Sequence, residues 1–238
     1  MPPRVVCIHA MKASLLPTAR AFALGFPEAE VVNLVDDSLS ADVVSTGCDS
    51  RMEARFSALG AYARDCASAD AILFTCSAFG SAIERVQAES SIPVLKPNGA
   101  LQRDVVSRGG TVGVLSMFRP TLPSILRELG ELAAAEGAAL DVVPRFVEGA
   151  LDALQAGDEA RCAELIAADA VQMLAEQPQI STVALAMFSM AFAGPEVEAA
   201  LARADPGRGG GLQVLTSPDA AVAELRTLFA SGVLAAGR

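Results

Sequence analysis

Short runs of β-branched and apolar residues alternate along this chain with longer, alanine-rich segments of helical period, and the order of these runs repeats. Such alternation is the pattern of parallel strands joined by crossover helices, so the class is α/β. In the first half the strand candidates are RVVCIHA (4 to 10), EVVNLVD (30 to 36), AILFTCSAF (71 to 79) and PVLK (93 to 96). In the second half they are TVGVLSMF (111 to 118), LDVVPRFV (140 to 147), TVALAMFSMA (182 to 191) and LQVLTS (212 to 217). Ile8 and Leu115 stand 107 residues apart, Cys76 and Met187 111, and Val94 and Val214 120. A shared plan with small insertions accounts for that drift. The two endings match as well: VLKPNGA and VLTSPDAA each place a proline just beyond a short strand, where it can open the next helix.

The expected architecture is therefore two pseudo-symmetric, Rossmann-like lobes, each a small parallel sheet with flanking helices. The first lobe takes residues 1–97 plus 216–238 and the second residues 98–215. Ligands of such sheets bind outside the carboxyl ends of the strands, which puts the active-site cleft where the lobes face each other. The polar stretch DDSLSADVVSTGCDS (36 to 50) is long for a strand-to-helix connection and reads as a lid over that cleft or as an ordinary mobile loop. ADPGRGGGL (204 to 212) reads as a flexible connection, and its glycines do not match a phosphate-binding fingerprint because no helix opens directly after them.

Bulk composition narrows the function classes. With 238 residues, 52% of them hydrophobic, the chain can bury a substantial core. Asp and Glu outnumber Lys and Arg by 28 to 18, for a formal charge of −10, and the basic residues are scattered, which argues against nucleic acid. The opening MPPRVVCIHAMKAS is too short in apolar residues for a membrane span and reads as a buried strand, so a cytoplasmic protein is expected, with no membrane partner. The five cysteines are odd in number and lack C-x-x-C spacing, which implies reduced thiols. One histidine leaves any metal site to carboxylates, so none is expected.

Cys76 follows the apolar run AILFT and precedes the small residues SAFGSAIE, which lead into a helix. A thiol at that place faces the cleft near backbone amides, and a helix start favours its thiolate. Such a group can take a proton from carbon, return one to it, or attack an electrophilic carbon; a small buried hydrophobe is the alternative. Cys7 lies in the first strand, Cys66 and Cys162 in helical segments, and Cys48 in the segment read as a lid. His9, near the carboxyl end of the first strand, can polarise a substrate carboxylate or serve as a satisfied structural group. Ser116, Met117 and Phe118 occupy the corresponding rim of the second lobe, with Arg119 and a proline-led helix behind, and their amides can receive an anion. Met187, Phe188 and Ser189 finish the strand that mirrors the Cys76 strand, without a thiol. Lys96 points into the cleft or is solvated.

On IHAM in the first strand, AILFTCSAFG, TVGVLSMFRPT, VALAMFSMA and VLTSPDAA, the chain resembles the aspartate, glutamate and hydantoin racemase superfamily, which includes arylmalonate decarboxylase and maleate isomerase. That resemblance implies two lobes enclosing a small carboxylic acid, no cofactor, and commonly a homodimer. It implies one catalytic cysteine from each lobe: Cys76 matches the first, and Ser77 and Ala78 match the residues that hold the substrate carboxylate. The second cysteine falls at Met187, and a thioether is not a proton base. The implied activity is a cofactor-independent racemase or isomerase acting alpha to a carboxylate of a small organic or amino acid. Cys76 is its acid or base, and substrate contacts come from His9, Ser77, Ala78, Ser116, Met117, Phe118, Met187 and Ser189. A decarboxylase (lyase), a cysteine-nucleophile hydrolase and a non-catalytic small-molecule binding protein are the alternatives.

Overall fold

The computed structural model describes residues 2–207 and 211–231, in two compact units: Met1–Gly99 with Pro218–Arg238, and Ala100–Ser217. In the first, β1 (Arg4–His9), β2 (Glu30–Val35), β3 (Ala71–Phe74) and β4 (Val94–Leu95) form an all-parallel sheet in the order β2-β1-β3-β4. In the second, β5 (Gly110–Ser116), β6 (Leu140–Phe146), β7 (Ile180–Leu185) and β8 (Gln213–Thr216) repeat it as β6-β5-β7-β8. All eight strands coincide with the apolar runs of the sequence. The fold is α/β, two four-stranded parallel sheets with flanking helices.

Burial follows strand position. The central strands β1, β3, β5 and β7 are almost wholly buried, as near-continuous apolar runs require when helices cover both faces. Of the edge strands, β2, β6 and β8 are only partly covered, while the two residues of β4 are buried. Pro144, which has no N–H for a ladder, sits on the edge strand β6, where a missing donor is tolerated.

Helices α1 (Leu15–Gly25), α2 (Ser38–Thr46), α3 (Ser50–Asp65), α4 (Gly80–Glu89) and α5 (Gly99–Arg108) precede β5 in the chain. Helices α6 (Thr121–Glu136), α7 (Ala150–Gln155), α8 (Glu159–Glu176), α9 (Gly194–Ala204) and α10 (Ser217–Ala230) follow it. Nearly all of α5, entered from β4 of the first sheet, belongs to the second unit, and nearly all of α10, entered from β8 of the second, belongs to the first. There α10 packs Phe229 against Phe26, ring centroids 5.9 Å apart, and brings Val222 against Gly25. No helix among the described residues is long and apolar enough to cross a membrane.

Two expectations need correction. Residues 36–50 are not an open loop: 38–46 form α2, which buries Leu39 and Val43, four residues apart and so on one helical face. Arg55 on α3 ties the segment down through Asp36 (2.6 Å), Asp42 (2.5 Å) and the Ser38 hydroxyl (2.7 Å), and Asp49 caps α3 by accepting from the Met52 amide (2.8 Å). Strand β3 ends at Phe74 and β7 at Leu185, short of residues 79 and 191, because the chain turns into short 3-10 segments at Ser77–Phe79 and Phe188–Ala193. Of the connection 204–212 read as flexible, residues 208–210 lie outside the described residues.

Candidate active site

In each sheet the chain leaves the first strand toward one side and returns on the other, so the topological switch point falls between β1 and β3 in the first unit and between β5 and β7 in the second. Crevices for ligands form outside the carboxyl ends of such strand pairs. At that end of β3, Thr75 still extends the ladder, its amide donating to Ile8 O at 3.1 Å. Cys76 comes next, with an extended backbone (φ −130, ψ 124), and serves as N-cap of the turn Ser77–Phe79 that runs straight into α4.

An aromatic cluster holds this corner from beneath. Phe56 of α3 stacks on Phe74 of β3 with centroids 5.2 Å apart and meets Phe79 of the turn at 4.7 Å. Phe74 and Phe79 flank Cys76 in sequence and are buried, so the residues on either side of the thiol are anchored in the core. Ser77 is buried and Ala78 half-buried beside it.

Three cysteines are buried, Cys7 and Cys162 at 0% residue exposure and Cys76 at 9%. Its acidity runs against expectation. Burial pushes the Cys76 thiol up to about 11, while the Ala78 backbone amide acts in the opposite direction. The amide at the helix start does favour thiolate, but desolvation outweighs it, and the resting group is a neutral thiol. Cys7 is pushed up by burial, and Cys162 goes to about 11 through burial and the nearby Glu159. Cys66 is exposed at the end of α3, and Cys48 accepts a contact from the Ser81 hydroxyl at 3.4 Å.

His9 is wholly buried, and both ring nitrogens are occupied by the protein: Nε2 lies 2.9 Å from Asn33 Oδ1 and Nδ1 2.9 Å from Thr75 Oγ1. A ring spent on those two partners has no nitrogen left to polarise a carboxylate. Asn33 and Thr75 were not singled out from the sequence, although a lone amide inside the apolar run EVVNLV was a visible signal. Lys96 pairs with Glu84 at 2.7 Å in the first unit.

The rim of the second unit has the same backbone and different chemistry. Met187 stands two residues past β7, as Cys76 does past β3, with φ −145, ψ 139, and N-caps the turn Phe188–Ala193. The Ser116 hydroxyl reaches Phe118 O (3.0 Å) and Met187 Sδ (3.3 Å), and accepts from the Phe118 amide (3.2 Å). Met117 faces Cys162, sulfur to sulfur 3.9 Å, and Ser189 is buried. Arg119 lies over the Phe146 ring at 3.8 Å and pairs with Glu148 at 2.7 Å. Among the described residues no group of three or more His, Cys, Asp or Glu side chains is placed to hold a metal ion.

Twin four-stranded parallel sheets give this chain the fold of several solved racemases. It superposes on glutamate racemase from Bacillus anthracis with a TM-score of 0.68 at 16% identity, over 98% of this chain and 84% of that one. An aspartate racemase homologue from Pyrococcus horikoshii gives 0.65 at 17% identity, over 97% and 100% of the two chains. Allantoin racemase from Pseudomonas fluorescens gives 0.63 at 19%, over 96% and 92%. No protein-family model and no curated protein matches the sequence.

Proposed function

We propose that this chain is a cofactor-independent enzyme of the racemase or isomerase type, acting at the carbon alpha to the carboxylate of a small organic or amino acid, with Cys76 as its acid and base. The observation that carries this reading is the place of Cys76: a thiol at the switch point, N-capping a turn, on a fold shared with racemases of glutamate and allantoin. Ser77 and Ala78, at the start of the same turn, are assigned to the substrate carboxylate.

In the forward step the Cys76 thiolate takes the α-proton, the C–H electron pair delocalises into the carboxylate, and a proton is then returned to that carbon, by the thiol with retention of configuration or by a water on the opposite face with inversion. Amides near the developing charge are what such a carbanion needs. A thiol whose pKa stands near 11 is rarely ionised at neutral pH, but once ionised it is a stronger base than an ordinary thiolate. The position equivalent to Cys76 in the second unit is Met187, which can neither accept nor donate a proton, so the chemistry runs on one thiol.

The neutral resting state of Cys76 favours a second reading, a lyase. In decarboxylation the carbon–carboxylate bond breaks, carbon dioxide leaves, the electron pair stays on the α-carbon, and the S–H proton is transferred there. Water then reprotonates the sulfur.

The test is α-deuterium incorporation from D2O into the two enantiomers of glutamate and of aspartate, alongside carbon dioxide release from a substituted malonate, with wild type and Cys76→Ala. Loss of a general acid–base group is expected to reduce turnover by roughly 10²–10⁴-fold. Exchange or release that survives the substitution removes Cys76 from the mechanism.

A further inference from the structure

His9 is the chain's one histidine, and it stands wholly buried at the carboxyl end of β1. Burial lowers its pKa and outweighs the Asn33 bond, which acts the other way, so the ring is neutral and has one donor and one acceptor nitrogen. Asn33 presents its Oδ1 to Nε2 at 2.9 Å, which assigns the ring proton to Nε2. The remaining nitrogen, Nδ1, then accepts from Thr75. The single Thr75 hydroxyl proton has two acceptors in reach, Ile8 O at 3.3 Å and His9 Nδ1 at 2.9 Å, and the nearer ring nitrogen takes it. Three adjacent strands are thus joined side chain to side chain at their carboxyl ends, and the last residue in that chain is the neighbour of Cys76.

The second unit supplies an internal comparison. The Thr75 amide donates to Ile8 O, and the Ala186 amide to Leu115 O. The Asp36 amide donates to His9 O, and the Val147 amide to Ser116 O. Ser116 therefore stands where His9 stands, Ala186 where Thr75 stands, and Met187 where Cys76 stands. The imidazole–hydroxyl link and the thiol occur together in one unit and are replaced together in the other.

We propose that His9 is a positioning residue: protonated on Nε2 toward Asn33, it holds the Thr75 hydroxyl through Nδ1 and so fixes the peptide that carries Cys76. This rests on the reading of Cys76 as the reacting group. It also moves His9 out of the set of substrate contacts, because the ring acts on the thiol through Thr75 and touches no ligand.

Two measurements on the full-length chain test it. With a single histidine, the long-range proton–nitrogen NMR spectrum of uniformly ¹⁵N-labelled protein at neutral pH contains one imidazole. A protonated Nε2 and a bare Nδ1 are expected, and a proton on Nδ1 or a charged ring overturns the inference. The second measurement follows alkylation of Cys76 by iodoacetate, an α-halo acid whose carbon next to the carboxylate is attacked by sulfur as iodide leaves, the thiol proton passing to solvent. Peptide mass spectrometry gives its limiting rate and half-saturation separately. Thr75→Val is expected to lower the limiting rate about 10- to 100-fold with half-saturation little changed, in line with the effect of a misplacement of about 1 Å, and Thr75→Ser to restore it. Equal limiting rates in wild type and Thr75→Val overturn the positioning role while leaving the reading of Cys76 intact. If Cys76 is labelled only after denaturation, the functional reading fails, and the positioning role falls with it even where the NMR tautomer is as expected.

Discussion

The burial of Cys76 makes a quantitative prediction about its reactivity. Moving a thiol from an ordinary 9.0 to about 11 lowers the thiolate fraction at pH 7 a hundredfold, from about one molecule in 10² to about one in 10⁴. That corresponds to about 3 kcal/mol against the charged form. The more basic thiolate is intrinsically more nucleophilic, and a Brønsted slope of roughly 0.4–0.5 returns a little under tenfold of that loss. Iodoacetamide is therefore expected to alkylate Cys76 at pH 7 about tenfold more slowly than an accessible thiol of ordinary acidity, before restricted access slows it further. The rate should climb about tenfold per pH unit through pH 8 to 10 and bend only toward 11. Short pulses quenched with acid and read by peptide mass spectrometry measure this, with exposed Cys66 labelled in the same sample as a check on the reagent. Stability shares the sign of the effect. A folded-state pKa raised above the unfolded value leaves stability intact below about pH 9, and stability is lost as pH rises through about 11, so the pulses belong at pH 10 or below. A rate that levels off between pH 7 and 8.5 would refute the reasoning, because it would mean that the Ala78 amide and the helix start outweigh desolvation.

Two further perturbations probe the scaffold around that corner. At Gly60 of α3, an added Cβ would lie 2.5 Å from Val86 Cγ1 of α4, a branched and buried side chain with little room to yield. Gly60→Ala is expected to lower stability by about 1–2 kcal/mol in urea unfolding despite its better helix propensity, and Val86→Ala in the same chain to recover part of it; a net gain in stability would show that the helices separate freely. Arg55→Ala releases Asp36, Asp42 and Ser38 from α3 and is expected to lower stability by about 1 kcal/mol, because the partly exposed pairs are screened by solvent. Burial raises the Asp36 carboxyl, but bonds from Ser38 and Arg55 outweigh it and hold it below the usual range, so the difference between variant and wild type is present near neutrality and shrinks as pH falls below about 4. A difference that stays constant down to pH 3 would mean the ion pairs contribute nothing.

What the sequence determined by itself was the class, the strands and the duplication. Continuous apolar runs such as AILF and VGVL, bounded by Gly, Pro and small polar residues, can form buried parallel strands whatever surrounds them, and their order along the chain carried the repeat. The place of Cys76 just beyond the third strand, and the thioether at the matching place in the second half, were legible for the same local reason.

Tertiary structure decided what could not be read from neighbours in sequence. A polar segment became the helix α2 because Leu39 and Val43 found a core to enter and Arg55, 13 to 19 residues downstream of its partners, tied the segment down. The partners of His9 come from 24 and 66 residues away, so whether that ring meets solvent, substrate or protein was set only when three strands aligned. The acidity of Cys76 was likewise undetermined by SAFG after it, since the helix start and the buried surroundings pull in opposite directions. Desolvation is a property of everything packed around a group, and a linear sequence does not contain that sum until the chain has folded.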